Sequence, residues 1–296
     1  MKATSGRMVM CNKKTVLNLG AGVQSTALYL MSMDGEIDPI DCAIFADVQE
    51  EPSAVYDHIE WMKSLGGPEI ITVTSGKLGD ALAAGTDYLG NTRKDGGHYV
   101  SIPAFTIDPQ NGKKGMIRRQ CTGDFKIKPV EKHIRQVLFD TPAGRPIPKD
   151  CHVHQWMGLS YDEPKRVIRV KQRFMAKPSN WTVEFPLFDL EMTRSDCVAY
   201  LKERVPHEVP RSACVFCPFK DDREWKDLKD NDPEGWRRAV EVDKICRTGT
   251  GLDAWRFVHR SCQPLDEIDF RSADEKSGQK HLFSGWQDEC EGYCGN

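Results

Sequence analysis

The sequence has no apolar run approaching the roughly 20 residues that a membrane-crossing helix needs. Its opening residues include lysine and arginine but no apolar stretch of the length a secretory signal requires. The chain is therefore expected to be cytoplasmic, with no membrane partner. A strong charge bias is also missing. With 41 basic residues against 44 acidic ones, the formal net charge is −3. That argues against a chain basic all over, but it is compatible with a local basic groove and a nucleic-acid partner. No internal repeat or low-complexity tract interrupts the sequence, which excludes a repeat array.

Cysteine, by contrast, is plentiful. Eleven cysteines in 296 residues suit a disulfide framework only in a small secreted chain. In an intracellular enzyme they point to metal ligation, redox chemistry or burial. The odd count leaves at least one outside any internal disulfide. The length suffices for a full core, and 39% hydrophobic with 29% charged residues is ordinary globular composition.

The first half alternates strand and helix patterns. Thr15–Leu19, Ile40–Ala46 and Glu69–Thr74 read as buried strands. Ser25 is expected to cap a helix running through Ala27, Leu28, Leu30 and Met31. Ser53–Leu65 reads as a helix with Val55, Ile59, Met62 and Leu65 on one face. Such alternation predicts parallel strands joined by right-handed crossovers. The glycine-rich, polar stretch Gly85–Gly115 is expected to be a long loop over the sheet edge. A helix is predicted from Pro129 to Phe139, a proline-rich linker over Thr141–Pro148, and a strand over Cys151–Leu159.

After Phe185-Pro186-Leu187 the texture changes. Thr193-Arg194-Ser195-Asp196 has the form of a capping box. Asp232-Pro233 reads as an N-cap followed by proline in the first helical position. The expected organisation is an α/β domain over 1–190 and a helical, cysteine-bearing section over 191–296. The fold class is a Rossmann-like, mainly parallel twisted sheet with helices on both faces.

Gly20-Ala21-Gly22-Val23-Gln24-Ser25-Thr26 sits between a strand and a helix start. Glycines there let backbone N–H groups approach an anion, and the helix dipole favours negative charge. Ser25 and Thr26 add hydroxyl donors, so this is a candidate phosphate cradle. An ordinary tight turn explains two glycines equally well. With Asp47 ending the second strand, the loop also imitates a dinucleotide fingerprint, but Ser25 occupies the place of its third glycine. Asp47 itself is placed to bind a ribose hydroxyl, to hold magnesium or to orient a substrate.

Cys214-Val215-Phe216-Cys217 presents two thiols from one turn, and Cys121 can close on the same centre once the chain folds. These three are candidate metal ligands. An alternative joins Cys214 and Cys217 to Cys290 and Cys294 as a structural zinc site. The cluster reading is preferred because the zinc scheme gives Cys121 no role. Cys42 and Cys197 are expected to be packing residues. His152 and His154 share one strand face, where a metal pair is less expected than histidines at a strand end. Trp225, Trp236 and Trp255 are expected in the core.

Several of these segments together resemble the adenine-nucleotide α-hydrolases, and more closely their phosphoadenosine phosphosulfate (PAPS) reductase-like branch. The glycine loop is similar to the family's phosphate-binding loop. Asp47 is similar to the acidic residue ending its second strand. Gly158–Glu163 with Arg166, and Pro186–Asp189, resemble two further family segments.

The loop departs from the serine-glycine-glycine-x-aspartate-serine form of ATP pyrophosphatases, and Gln24 looks more like the glutamine of sulfonucleotide reductases. Arg118, Arg119, Lys126 and Lys128 are candidates to balance phosphate charge.

The resemblance implies an adenine nucleotide, either ATP or an adenylyl sulfate (PAPS or APS), and magnesium with it. It also implies a 4Fe-4S cluster on Cys121, Cys214 and Cys217, with Gln120 standing where iron–sulfur reductases carry a second cysteine. Two activities follow from it. One is sulfur transfer onto a tRNA or DNA substrate or a small molecule, served by a cysteine desulfurase and a reductant protein. The other is release of sulfite by a sulfonucleotide reductase, with Cys290 after Glu289 as the attacking thiol. A non-catalytic, zinc-stabilised nucleotide-binding protein is the reading from another class. A homo-oligomer is expected.

Overall fold

A computed structural model of the chain describes residues 13–92, 94, 99–248 and 255–271. The chain opens with β1 (Lys13–Leu19), α1 (Val23–Met33), β2 (Cys42–Ala46), α2 (Ser53–Ser64), β3 (Glu69–Val73) and α3 (Leu78–Ala84). Two short strands follow, β4 (Phe105–Ile107) and β5 (Lys114–Met116). A continuous helical stretch comes next: a π-helical turn over Thr122–Ile127, α4 (Lys128–His133) and a second π-helical turn over Ile134–Leu138. Then come β6 (His152–Met157), α5 (Pro164–Phe174), β7 (Trp181–Glu184), α6 (Pro186–Asp189), α7 (Arg194–Lys202), α8 (Asp222–Asn231), α9 (Pro233–Thr248) and β8 (Trp255–Phe257).

Five strands form one parallel sheet in the order β3-β2-β1-β6-β7. Side chains of a strand alternate between faces, and both faces are covered here. On one side Leu17, Leu19, Ala43 and Phe45 pack with α1, with Val55, Ile59 and Met62 of α2, and with Cys197 and Leu201 of α7. On the other, Val16, Cys42, Ile44 and Val153 pack with Ile127, Val130 and Ile134 of the long helical stretch and with Val167, Val170 and Phe174 of α5. Burial on both faces explains why these strands read as near-continuous apolar runs. The expected fold class, a Rossmann-like parallel sheet with helices on both faces, is the one found.

Several local expectations need correction. Helix α1 begins at Val23 with Gly22 as its N-cap, so Ser25 lies inside the first turn and does not cap it. Leu65 falls just past α2 and is exposed, because the helix ends at Ser64. Gly85–Gly115 is not one long loop. It contains β4 and runs into β5, and β4 pairs antiparallel with both β5 and β8 in a second, three-stranded sheet. A three-residue strand is too short to show periodicity, which is why it was invisible in the sequence. Trp255 lies on that sheet and is 57% exposed, unlike the buried Trp225. Strand β7 and helix α5 were also not anticipated. Cys151, buried just before β6, is disulfide-bonded.

The capping box at Thr193–Asp196 is present, and Asp221–Glu224 forms another ahead of α8. Asp232 accepts a hydrogen bond from the Gly235 amide, as an N-cap does. Cys42 and Cys197 are buried packing residues as expected. Because β8 pairs with β4, the C-terminal section is joined to the first by strand pairing as well as by packing. Its core gathers Trp225, Leu228, Val242 and Phe270 with Val48 and Leu78. Buried Asp243 fixes it, accepting from the Val258 and Leu265 amides and from Arg247. Among the described residues, no helix is long and apolar enough to cross a membrane.

Candidate nucleotide and cysteine site

In a parallel sheet the strand order reverses at a switch point, and ligands bind outside the carboxyl ends of the strands there. Here the chain moves outward from β1 through β2 to β3, then returns to the other side of β1 as β6. The switch point therefore lies between β1 and β6. The loop Gly20–Gly22 follows β1, and the segment Gly158–Glu163 follows β6.

Gln24 ties these two segments together. Its buried amide donates to Ser160 Oγ at 2.7 Å and to the Glu163 carboxylate. Glu163 also accepts from the Ser160 amide and hydroxyl and is paired with Arg166. Gln24 and Arg166, both expected at the nucleotide, are thus joined in one internal network at the switch point. Ser25 accepts from the Gly20 amide at 3.2 Å and its hydroxyl faces the Gly22 carbonyl. Ala21 takes the left-handed conformation with φ of 61°, although it carries a Cβ and is fully buried. Such a residue stores roughly 1–3 kcal/mol of strain and is held by its surroundings.

The Thr26 hydroxyl turns away from the loop and lies 2.9 Å from His58 Nε2. His58 Nδ1 is 2.8 Å from His207 Nε2, and the His58 ring stacks on Trp61. Burial, and secondarily the neighbouring His207, push the His58 pKa down to about 4. His58 is therefore neutral at physiological pH, and each of its ring nitrogens has a partner within the protein.

Asp47 directly follows β2. Its Oδ1 accepts from the Gln49 amide at 2.6 Å and from the Tyr56 hydroxyl at 3.0 Å. Burial and the adjacent Asp47 raise the Tyr56 pKa, so this hydroxyl stays protonated and donating. Among the described residues no hydrogen bond to Asp47 Oδ2 is formed.

The next four residues lead to the cysteines. Val48 lines a small cavity whose wall includes Cys121, Cys214 and Cys217, together with Arg119 and Lys126. The Glu50 carbonyl accepts from the Val215 amide at 2.7 Å, which seats the Cys214–Cys217 turn. The Glu50 carboxylate is buried and paired with Arg238 at 2.7 Å. The Glu51 carboxylate is also buried, paired with Lys126 at 3.1 Å and within 3.4 Å of Ser212 Oγ.

Burial raises the Cys214 pKa well above the ordinary thiol value. Glu51, Cys217 and Cys121 raise it further, while Lys126 opposes them. The sequence thus brings Cys121 to the same cavity as Cys214 and Cys217. Among the described residues, however, no group of three His, Cys, Asp or Glu side chains is arranged to hold a single metal ion.

Three thiols, an apolar wall and two cations are donors of the kind an iron–sulfur cluster takes, one thiolate short of its usual four. A lone zinc would need its sulfurs only about 3.8 Å apart, given Zn–S bonds near 2.3 Å in a tetrahedron. The cavity measures about 30 Å³, room for roughly two water-sized positions. That is less space than a four-iron cube occupies with the side chains as they stand. Cys290 and Cys294 lie outside the described residues.

The remaining predicted groups do not converge on one site, although Arg119 lines the cysteine cavity. Arg119 stacks over Phe219 at 4.1 Å, Lys128 pairs with Asp124, and Arg118 is exposed. His152 is exposed and His154 pairs with Glu184, so the two do not form a metal pair. Sequence reasoning missed Glu50, Glu51 and Ser212. The one available signal was two adjacent acids directly after a buried strand end, in a position where burial is costly unless each is paired. No protein-family model, no curated protein and no solved structure matches the chain.

Proposed function

We propose that the protein is a sulfur-transfer enzyme that binds an adenine nucleotide over Gly20–Gly22 and Asp47 and carries an iron–sulfur cluster on Cys121, Cys214 and Cys217. The observation that carries this reading is the segment Asp47–Glu51. It begins at a carboxylate with a spare oxygen and ends at the ion pair beside a three-cysteine cavity, so a nucleotide site and a sulfur site share one short piece of chain.

In this reading Asp47 orients the ribose or magnesium, and the loop amides hold phosphate. The nucleotide activates an oxygen on the acceptor by adenylation. Lys126 and Arg119 offset negative charge at the cysteines. Adenylation by ATP would release pyrophosphate, and a cluster held by Cys121, Cys214 and Cys217 would supply sulfide-level sulfur to the activated centre, from which AMP would leave carrying the acceptor oxygen.

Two observations weigh against the rivals. The sulfonucleotide reductase reading drew on Gln24, whose amide is engaged by Ser160 and Glu163. The zinc reading gave Cys121 no role, yet Cys121 lines the cavity with Cys214 and Cys217.

The test is iron, sulfide and zinc analysis with an absorption spectrum on protein purified without oxygen. A brown protein with about four irons and four sulfides per chain is expected, and Cys214→Ala should abolish both colour and ATP-dependent sulfur incorporation. A colourless wild-type protein holding one zinc would overturn the proposal.

A further inference from the structure

Away from the cysteines, along the outer side of the helical stretch that includes α4, lies an open groove. It measures about 1150 Å³, beyond the roughly 300–1,000 Å³ of small-molecule pockets. Five cationic side chains line it, Lys128, Lys132, Arg135, Arg145 and Lys177, and among the described residues no aspartate or glutamate does. In a chain of formal net charge −3, such a surplus is a local arrangement, not a reflection of composition.

The five cations are not equivalent. Lys128 pairs with Asp124 at 2.6 Å and lies over the Tyr88 ring. Lys177 pairs with Glu131 at 2.6 Å and lies over the ring of buried Trp181. Arg135 is 3.9 Å from Glu131 and also faces Trp181. These three are partly neutralised from behind the wall, and the two rings serve them. Lys132 and Arg145 are exposed and have no ion pair among the described residues. They come from different segments, Lys132 from α4 and Arg145 from a turn over 142–146. That turn is closed by the Arg145 amide, which donates to the Pro142 carbonyl at 3.1 Å. Pro142 and Pro146 flank it and limit the freedom it would lose on binding.

Two apolar side chains share the groove with these cations. Leu89 and Val137 line it and are 67% and 63% exposed. One exposed leucine needs no explanation. Two large apolar side chains on one groove, beside cations without ion partners, make a surface of mixed and specific chemistry.

We propose that this groove docks an acidic polypeptide segment that carries apolar side chains among its carboxylates. Charge complementarity selects the acid, since carboxylates would meet Lys132 and Arg145 with no like charge on the described wall. Leu89 and Val137 select the polypeptide, because a bare polyanion would leave both in water. Bases would find no stacking platform, as Lys128, Lys177 and Arg135 take the ring faces of Tyr88 and Trp181. A bilayer surface is flat and cannot follow a concave wall. A compact anion would need the open cations to converge, and they stand on separate segments of a groove too large for it. The inference goes beyond the sulfur-transfer reading and stands on the groove alone.

The experiment is fluorescence anisotropy of a labelled peptide of Glu-Glu-Leu repeats with the full chain, over a range of salt. A peptide of Glu-Glu-Ser repeats, oligothymidylate and vesicles containing phosphatidylserine are the comparators. Wild-type protein should bind the leucine peptide with an affinity that falls as salt rises. Lys132→Glu/Arg145→Glu should weaken binding at least about tenfold at low salt and flatten the salt dependence. Leu89→Ser/Val137→Ser should weaken it at least about fivefold and keep the salt dependence, and the serine peptide should lose a similar factor on wild type. All four side chains are exposed, and an unchanged circular dichroism spectrum verifies folding. No binding of the leucine peptide by wild type, or undiminished binding by the charge-reversal variant, would overturn the proposal. So would equal binding of the two peptides, or tighter binding of oligothymidylate or vesicles than of the leucine peptide.

Discussion

Lowering the pH should cost this protein stability through one histidine. His58 is fully buried, and its pKa is depressed from 6.5 to about 4, first by burial and then by His207. In the unfolded chain the same imidazole binds a proton near pH 6.5. Between these values the unfolded state holds more protons than the folded one, so stability falls as pH falls. The contribution is fully present above pH 6.5 and is lost progressively toward pH 4. At about 1.36 kcal/mol per pKa unit, the total is roughly 3 kcal/mol.

Among the described residues the groups facing His58 are the Thr26 hydroxyl, His207, Trp61 and, near Thr26, the Met62 sulfur, with no carboxylate to stabilise the imidazolium. The assay is the urea midpoint at a series of pH values, followed by far-UV circular dichroism and by tryptophan emission, with stacked Trp61 as the local reporter. His58→Gln, which keeps an amide near Thr26 but does not titrate, should show a shallower loss over the same window. His207→Ala should shift the window upward by removing the second cause. Parallel pH profiles for wild type and His58→Gln would refute the reasoning, because the acid lability would then belong to other groups.

Substitutions at two further positions probe the site's scaffold. Lys126→Ala leaves the Glu51 carboxylate buried without its ion partner, and breaking such a pair typically costs about 3–5 kcal/mol. Denaturant titration should show a loss of that order, and a loss under about 1 kcal/mol would mean that water or Ser212 supports Glu51 adequately. Ala21→Val puts a β-branched side chain at a φ of 61° and should destabilise by about 1–3 kcal/mol. Ala21→Gly should be neutral or stabilising by up to about 1 kcal/mol, and equal melting temperatures for both variants would contradict the strain argument.

The sequence made the central sheet legible because its strands are buried on both faces and read as apolar runs between helical periodicities. Capping chemistry was legible for a similar reason. Thr193 and Asp196 act on each other within one turn, so the signal is local. The second sheet was not legible, since three-residue strands carry no period and β8 meets β4 only through the fold. The long helical stretch extends upstream of its expected start at Pro129, with π turns over Thr122–Ile127 and Ile134–Leu138. In the candidate site, residue identity pointed to the right places but not to the directions of the side chains. Thr26 and Gln24 sit in the glycine-loop segment, yet Thr26 faces His58 and Gln24 faces Ser160 and Glu163. A hydroxyl or amide in a sequence motif specifies a donor; its partner is a tertiary fact.

The inward use of these polar groups changes what the glycine loop can be. With Gln24, Ser25 and Thr26 engaged by the protein, side-chain donors are largely spent on fixing the loop, and a ligand would meet a rigid backbone. That is the economical arrangement for an anion, because donors already held in place lose little entropy on binding. The same logic runs through Asp47–Glu51. Gln49 takes a left-handed φ of 59°, and the turn it makes points Asp47 Oδ1 to Tyr56 while Glu50 and Glu51 grip Arg238, Lys126 and the Cys214–Cys217 turn. Displacing the cysteine turn must therefore pull on two buried ion pairs and on the residue next to Asp47. Under the proposed function, nucleotide binding at Asp47 and occupancy of the cysteine cavity would be coupled through these five residues, and a perturbation at either end should register at the other.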